Sequence, residues 1–274
     1  MKKLFNLFIC LGLVLGMVGC SSSSNDSSSS DDDYLVVGME CNYAPFNWTQ
    51  STENDYTVKI ENGYADGYDV VIASTLAEKL GKQVKIVPLD WDGLIPALNA
   101  GQIDCIIAGM TDTEERRESV NFTSKYYESE MVVIVRANSE LTSITSIQDL
   151  SGYKVLGQMS TIYDEVIDQI SGATHLTPLA DYPSMVNSLK NNEADALVAE
   201  LPVANGVVSA NSDLAIVKFA DGKGFDADTT VSIAVAKDNT ELLNKLEEAL
   251  ATITTDERNS IMQAAIERQP ANED

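Results

Sequence analysis

Residues 90–116, DWDGLIPALNAGQIDCIIAGMTDTEER, hold a helix, a strand and a polar turn in unbroken succession. Leu94, Ile95, Ala97 and Leu98 fall at helical spacing, Asn99-Ala100-Gly101 is a C-terminal stop, and 103–108 is a short apolar run of strand type. Residues 181–200, DYPSMVNSLKNNEADALVAE, repeat the layout. Trp91 matches Tyr182, Leu94 matches Met185, Leu98 matches Leu189 and Asp104 matches Asp195, each pair at one offset from its opening aspartate. Two copies of one helix-strand unit predict two similar α/β lobes.

Upstream, 34–39 is a strand, 68–81 an amphipathic helix stopped by Gly81, and 84–89 a second strand, the order of a mostly parallel sheet flanked by helices. Between them, 40–48 is an aromatic-rich loop and 62–67 is turn-like. Ligands bind at the carboxyl ends of strands in open α/β sheets, so Glu40 and Tyr43 are site candidates. Downstream, the β-branched run 131–136 leads away from the first lobe, and 150–155 starts the second. The strand 230–236 returns, and helices over 241–253 and 256–268 complete the first lobe. The expected division is therefore lobe 1 over 34–133 plus 232–274 and lobe 2 over 134–231, with a double hinge.

A formal charge of −24 over 274 residues counts against nucleic-acid binding and against anionic lipid surfaces. Attachment to a membrane would have to be covalent or apolar. Lys2 and Lys3 precede an apolar run over 4–18, which ends at Gly19-Cys20 and reads as a secretory signal peptide over 1–19. MVGC resembles the lipobox of bacterial lipoproteins, which implies cleavage before Cys20 and acyl chains, palmitate among them, on that residue. The tract 21–33, SSSSNDSSSSDDD, is a tether with nothing to bury. Cys41 and Cys105 are expected as free thiols, and a single histidine, His175, argues against a zinc site or a conventional triad. No metal or cofactor is expected.

VVGMECNYAPF, GYDVVIASTLAEKLG, DWDGLIPALNAGQIDCIIAGMTDTEERRESVNFTSKYY and NNEADALVAELPVA stand in this order and resemble the extracellular solute-binding proteins, family 3, of bacterial polar amino-acid ABC importers. The resemblance covers the chain from Tyr34 onward. It implies a two-lobed periplasmic-binding-protein-like fold joined by two crossing strands. It also implies a monomer that captures a free amino acid and delivers it to a membrane permease with its ATPase, outside the cytoplasm.

A free amino acid carries a carboxylate, an ammonium and a side chain, so its site needs a cation or amide nest, an anion and a shaped pocket. Thr111 and Glu114 have capping-box spacing, which predicts a helix start there, and Arg116 can clamp a carboxylate in bidentate fashion. The resemblance gives Arg116 that role. It places Trp91 and Tyr43 as aromatic platforms, and Ala108, Gly109, Met110 and Thr111 against the ligand. In the second lobe it places Ser160 and Thr161 at a strand-to-helix turn and Glu200 on the α-ammonium. Glu40 stands where relatives for lysine, arginine and ornithine carry a side-chain acid, which favours a cationic ligand. Glutamine, histidine and cystine are the alternatives, and a cyclohexadienyl dehydratase-like enzyme is the rival from another class.

Overall fold

The computed structural model describes residues 33–269. The predicted signal peptide, Cys20 and all of the tether but Asp33 lie outside the described residues.

Two five-stranded sheets carry the chain, and they are wired alike. The first runs in the order Gln83–Pro88, Tyr34–Met39, Cys105–Ile106, Thr230–Ala236, Val120–Glu128. The second runs Thr174–His175, Lys154–Leu156, Ala196–Glu200, Met131–Arg136, Leu214–Val217. In each, the first two pairings are parallel and the last two antiparallel. The sheets are thus mixed but mostly parallel, as the sequence read, with four of the five strands in each running one way and the fourth opposing them. The fourth strand is the reason: Thr230–Ala236 returns from the second lobe and Met131–Arg136 comes straight from the first, so each enters against the three parallel strands. The repeat read in the sequence lands on matching places, with helix Leu94–Asn99 leading into Cys105–Ile106 and helix Tyr182–Lys190 into Ala196–Glu200.

Sheet membership changes at Ser129-Glu130 and again between Val217 and Thr230. Limits drawn at 133 and 231 therefore fall inside strands. The two crossings are tied together by the Thr229 hydroxyl, which donates to the Ser129 carbonyl, and the first crossing is tied to the second lobe by the Leu201 amide, which donates to the Glu130 carbonyl at 2.8 Å.

Helix Tyr68–Lys79 packs on the first sheet through Val70, Ile72, Ala73, Leu76 and Ala77, all buried. Removing each larger aliphatic side chain from water contributes about 1.5–3 kcal/mol. Its entry requires Gly67, whose φ is +131° and where a Cβ would lie 2.2 Å from the Phe46 carbonyl oxygen. Helix Tyr182–Lys190 starts on Asp181, whose carboxylate accepts from the Ser184 amide at 2.8 Å, with a proline in its first turn. In the second lobe, a Cβ on Gly157 would lie 2.4 Å from the Asp164 Cα and 2.6 Å from the Tyr163 carbonyl oxygen. Gly157→Ala must push backbone apart, and a loss of roughly 1–3 kcal/mol is expected, read as a lower Tm in thermal unfolding.

The loop reading of 40–48 and the turn reading of 62–67 give way to a four-stranded antiparallel sheet, ordered Asn42–Tyr43, Asn47–Gln50, Gly63–Asp66, Val58–Ile60. Pairing between Trp48 and Asp66, and onward to Gln50 and Tyr64, overrides local turn composition. The small sheet is pinned to the last helix, Thr255–Arg268. Arg268 pairs at 3.0 Å with the fully buried Asp66 and lies over the Tyr56 ring at 4.1 Å.

Candidate ligand-binding site

The carboxyl ends of the strands in both lobes converge on one cleft. After strand Tyr34–Met39 the chain turns through Cys41, at φ +59°, whose amide donates to Asn47 Oδ1 at 2.7 Å. The turn leaves Glu40 and Tyr43 beside each other, and the Tyr43 ring stacks on Phe46 at 5.3 Å. After strand Cys105–Ile106 the chain turns at Gly109, at φ +61°, where a Cβ would stand 3.0 Å from the Tyr43 ring.

The helix carrying Arg116 begins later than the sequence suggested. It spans Glu114–Ser119, and its cap is Thr113, whose hydroxyl accepts from the Arg116 amide at 3.2 Å. The Thr111–Glu114 capping box does not form, because the Thr111 backbone is held in a bridge to Val231. That bridge keeps Thr111 buried at the cleft. Arg116 then reaches back, donating from Nη1 to the Thr111 carbonyl at 2.8 Å and from Nη2 to the Ser160 carbonyl at 3.2 Å. It lies over the Trp91 ring at 5.1 Å. Arg117 forms the ion pair of this turn, with Asp112. Arg116 makes no ion pair with a carboxylate among the described residues, although burial lowers its pKa and Glu165 and Glu115 act in the opposite sense.

In the second lobe the turn after strand Lys154–Leu156 carries Gln158, Ser160 at φ +59° and Thr161. Thr161 caps the short helix Ile162–Glu165, accepting from the Tyr163 amide at 3.2 Å. The lobes are closed on each other. Trp91 Nε1 donates to the Ser160 carbonyl at 3.0 Å, Gln158 Nε2 donates to Glu40 Oε1 at 3.0 Å, and the Tyr43 hydroxyl donates to Glu200.

A narrow space of about 10 Å³ lies at the centre. Glu40, Tyr43, Trp91, Gly109, Thr111, Arg116 and Thr161 line it, as the sequence reading grouped them. Ser160 and Met110 line the wider mouth that adjoins it at Trp91 and Arg116. Ala108 is fully buried and Glu200 stands behind Tyr43, so neither lines the space. Gln158, Ile162 and Tyr163 complete the wall, and the sequence reading did not single them out. A signal existed for Gln158: strand Lys154–Leu156 holds in its sheet the place that Tyr34–Met39 holds in the other, so Gln158 follows its strand much as Glu40 follows its own.

Burial raises the pKa of Glu40 to about 8; the hydrogen bond from Gln158 opposes the rise, while Asp181 and Asp90 add to it. Burial likewise raises Glu200 to about 7 against hydrogen bonds from Tyr43 and Ser129. A bound cation would favour the charged form of both. The cleft thus offers a guanidinium without an acidic partner among the described residues and one carboxylate short of solvation in its wall, with a second, Glu200, behind Tyr43. Cys41 and Cys105 are buried and free.

The model of the bacterial extracellular solute-binding proteins, family 3, matches residues 35–265. The arginine-binding extracellular protein ArtP of Bacillus subtilis is 31% identical over 255 residues, covering 91% of this chain and 92% of that one. A probable histidine-binding protein of Campylobacter jejuni is 34% identical, with the match covering 66% of this chain and 65% of that protein, slightly under two thirds of its length. An ancestral arginine-binding protein bound to glutamine superposes with a TM-score of 0.72 at 32% identity, over 85% of this chain and 97% of that one. A match over this span, on a fold of the same architecture, makes the chain a member of the bacterial extracellular solute-binding proteins, family 3.

Proposed function

We propose that this protein is the extracytoplasmic binding component of an amino-acid ABC importer and that its ligand is a cationic L-amino acid, arginine before lysine. The observation that carries the reading is the charge pattern of the cleft. Arg116, with no acidic partner among the described residues, supplies the clamp for an α-carboxylate. Glu200 supplies the negative charge for the α-ammonium, through and beside the Tyr43 hydroxyl. Glu40 meets the side-chain cation, with Asp90 and Asp181 adding to the local negative field. Trp91 and Tyr43 give the aromatic faces.

A thermal-shift and calorimetric screen of the free amino acids tests this, because a ligand that binds only the folded state raises Tm by mass action. Arginine should give the largest shift. Tighter binding of glutamate or leucine would overturn the reading. Glu40→Gln is expected to weaken arginine binding by about tenfold or more while leaving glutamine little changed, since only the former needs a charge there. Calorimetry on the variant with both ligands measures the difference.

Two lobes parting at Ser129-Glu130 and between Val217 and Thr230 close on the ligand in this proposal, and a permease receives it from the monomer. Anchorage through acylated Cys20 belongs to the same proposal and rests on the MVGC tetrapeptide after the apolar run. Cys20→Ala should release the protein into the medium. One observation favours an enzyme instead: carboxylates raised to about 7 and about 8 are what a general acid needs near neutral pH. Product formation from a cyclohexadienyl acid would select that reading, and its absence together with reversible arginine binding would select the importer component.

A further inference from the structure

Neither Asp69 nor Tyr126 lines the cleft, and both are buried to within about one percent of full burial. They belong to a chain of hydrogen bonds whose two ends are the backbone amides of the turns that carry the site. The Gly109 amide donates to the Tyr126 hydroxyl at 2.9 Å, and that hydroxyl donates to Asp69 Oδ1 at 2.7 Å. On the other side of the carboxylate, Asn47 Nδ2 donates to Asp69 Oδ2 at 2.8 Å, and Asn47 Oδ1 accepts from the Cys41 amide at 2.7 Å. Each amide is an obligate donor, so the direction of every bond is fixed from both ends inward, and only a group that accepts twice satisfies the middle. An ionised carboxylate does so.

We infer that Asp69 and Tyr126 are positioning residues: a single buried acceptor sets the two turns, at Cys41 and at Gly109, that present Glu40, Tyr43 and Thr111 to the cleft. Both turns need such a tether, because both place a residue at positive φ, and at Cys41 that residue is not glycine. The helix Tyr68–Lys79 holds the acceptor in place, since Asp69 lies in its first turn and Gly67 admits the chain there. The distance between the two walls of the first lobe is thereby set from below, before any ligand enters.

The polarity of the chain makes the inference testable in detail. In Asp69→Asn the new amide oxygen can still accept from Tyr126, but its NH2 faces the NH2 of Asn47. Turning Asn47 over moves the clash to the Cys41 amide. The variant should therefore speed hydrogen exchange at Cys41 and leave Gly109 protected. Tyr126→Phe should do the reverse, exposing Gly109 and sparing Cys41. The swapped pair Asn47→Asp with Asp69→Asn restores every donor to an acceptor: Tyr126 to the Asn oxygen, the Asn NH2 to the Asp, and the Cys41 amide to the same Asp.

Amide exchange in the ligand-free variants reads this directly and depends on no ligand, so it stands or falls separately from the proposed function. Calorimetry with L-arginine adds the consequence: affinity about tenfold lower in each single variant and recovered to within about threefold in the swap. If a single variant does not fold, the swap must fold to sustain the inference. The inference is overturned if the swap behaves as Asp69→Asn does, or if Tyr126→Phe leaves exchange at Gly109 unchanged. An unsubstituted chain protected at both amides that binds no arginine upholds the network and counts against arginine as the ligand, whereas a swap that recovers protection but not the affinity of the unsubstituted chain overturns the positioning role.

Discussion

Arg116→Ala is expected to weaken arginine binding by about 10²–10³-fold, the equivalent of roughly 3–4 kcal/mol for leaving a buried charge without its partner. The ligand's α-carboxylate would lose a bidentate donor in a cleft from which water is largely excluded. Stability should change little, because Arg116 forms no ion pair with an acidic side chain among the described residues and its two side-chain hydrogen bonds go to backbone carbonyls. Arg116→Lys keeps the charge but not the planar fork, and is expected to recover only part of the loss. Titration calorimetry with thermal unfolding in parallel separates the two effects. Unchanged affinity in Arg116→Ala would remove Arg116 from the site. Arg117→Ala serves as the control, since its carboxylate partner is the neighbouring Asp112.

The second large effect concerns pH. In the closed form Glu40 holds its proton up to about 8 and Glu200 up to about 7, and burial is the main cause in each case. In an open form both carboxyls would meet water and titrate near the ordinary value for glutamate, about 4.3. The closed form therefore binds more protons. Its pKa values are raised, so its advantage is complete at low pH and is lost as pH rises through about 7 and then about 8. Without ligand, the closed-to-open ratio should fall by about a hundredfold or more between pH 5.5 and pH 9. Small-angle scattering would show a compact ligand-free protein at the lower pH and an expanded one at the higher. With arginine bound, the cation compensates both carboxylates, and the protein should stay compact at both. Glu40→Gln with Glu200→Gln should abolish the pH response of the ligand-free protein. A radius of gyration independent of pH in the unsubstituted chain would refute the mechanism.

Much of the architecture was readable from period and order. Residues 90–108 and 181–200 show the same helix-strand spacing, and the sheets place both copies at equivalent positions because amphipathic periodicity is a local property that packing preserves. The strands that follow the two crossings, 131–136 and 230–236, were visible as β-branched runs. The antiparallel sheet over 42–66 was not, since its turn-rich sequence becomes strand only through pairing with segments up to eighteen residues away, as between Trp48 and Asp66. The one opposed strand in each mostly parallel sheet was not readable for the same kind of reason: the run 131–136 declares a strand, but not its direction in the sheet it enters.

The sequence by itself determined which residues follow strands, and so placed Glu40, Thr111 and Thr161 just past strand ends. The family resemblance gave the motif's arginine as Arg116 rather than Arg117. Only the tertiary structure decided that Arg117 takes Asp112 while Arg116 turns toward Trp91 and the second lobe. Tertiary structure alone set Gln158 against Glu40 and put Tyr43 between the cavity and Glu200, across 157 positions of chain. The physical reason is that a side chain's type is written at its own position, whereas its solvation and hydrogen-bond partners belong to the space it shares with distant segments. Burial of Glu40, Asp69 and Glu200 exists only once the two turns and the second lobe enclose them.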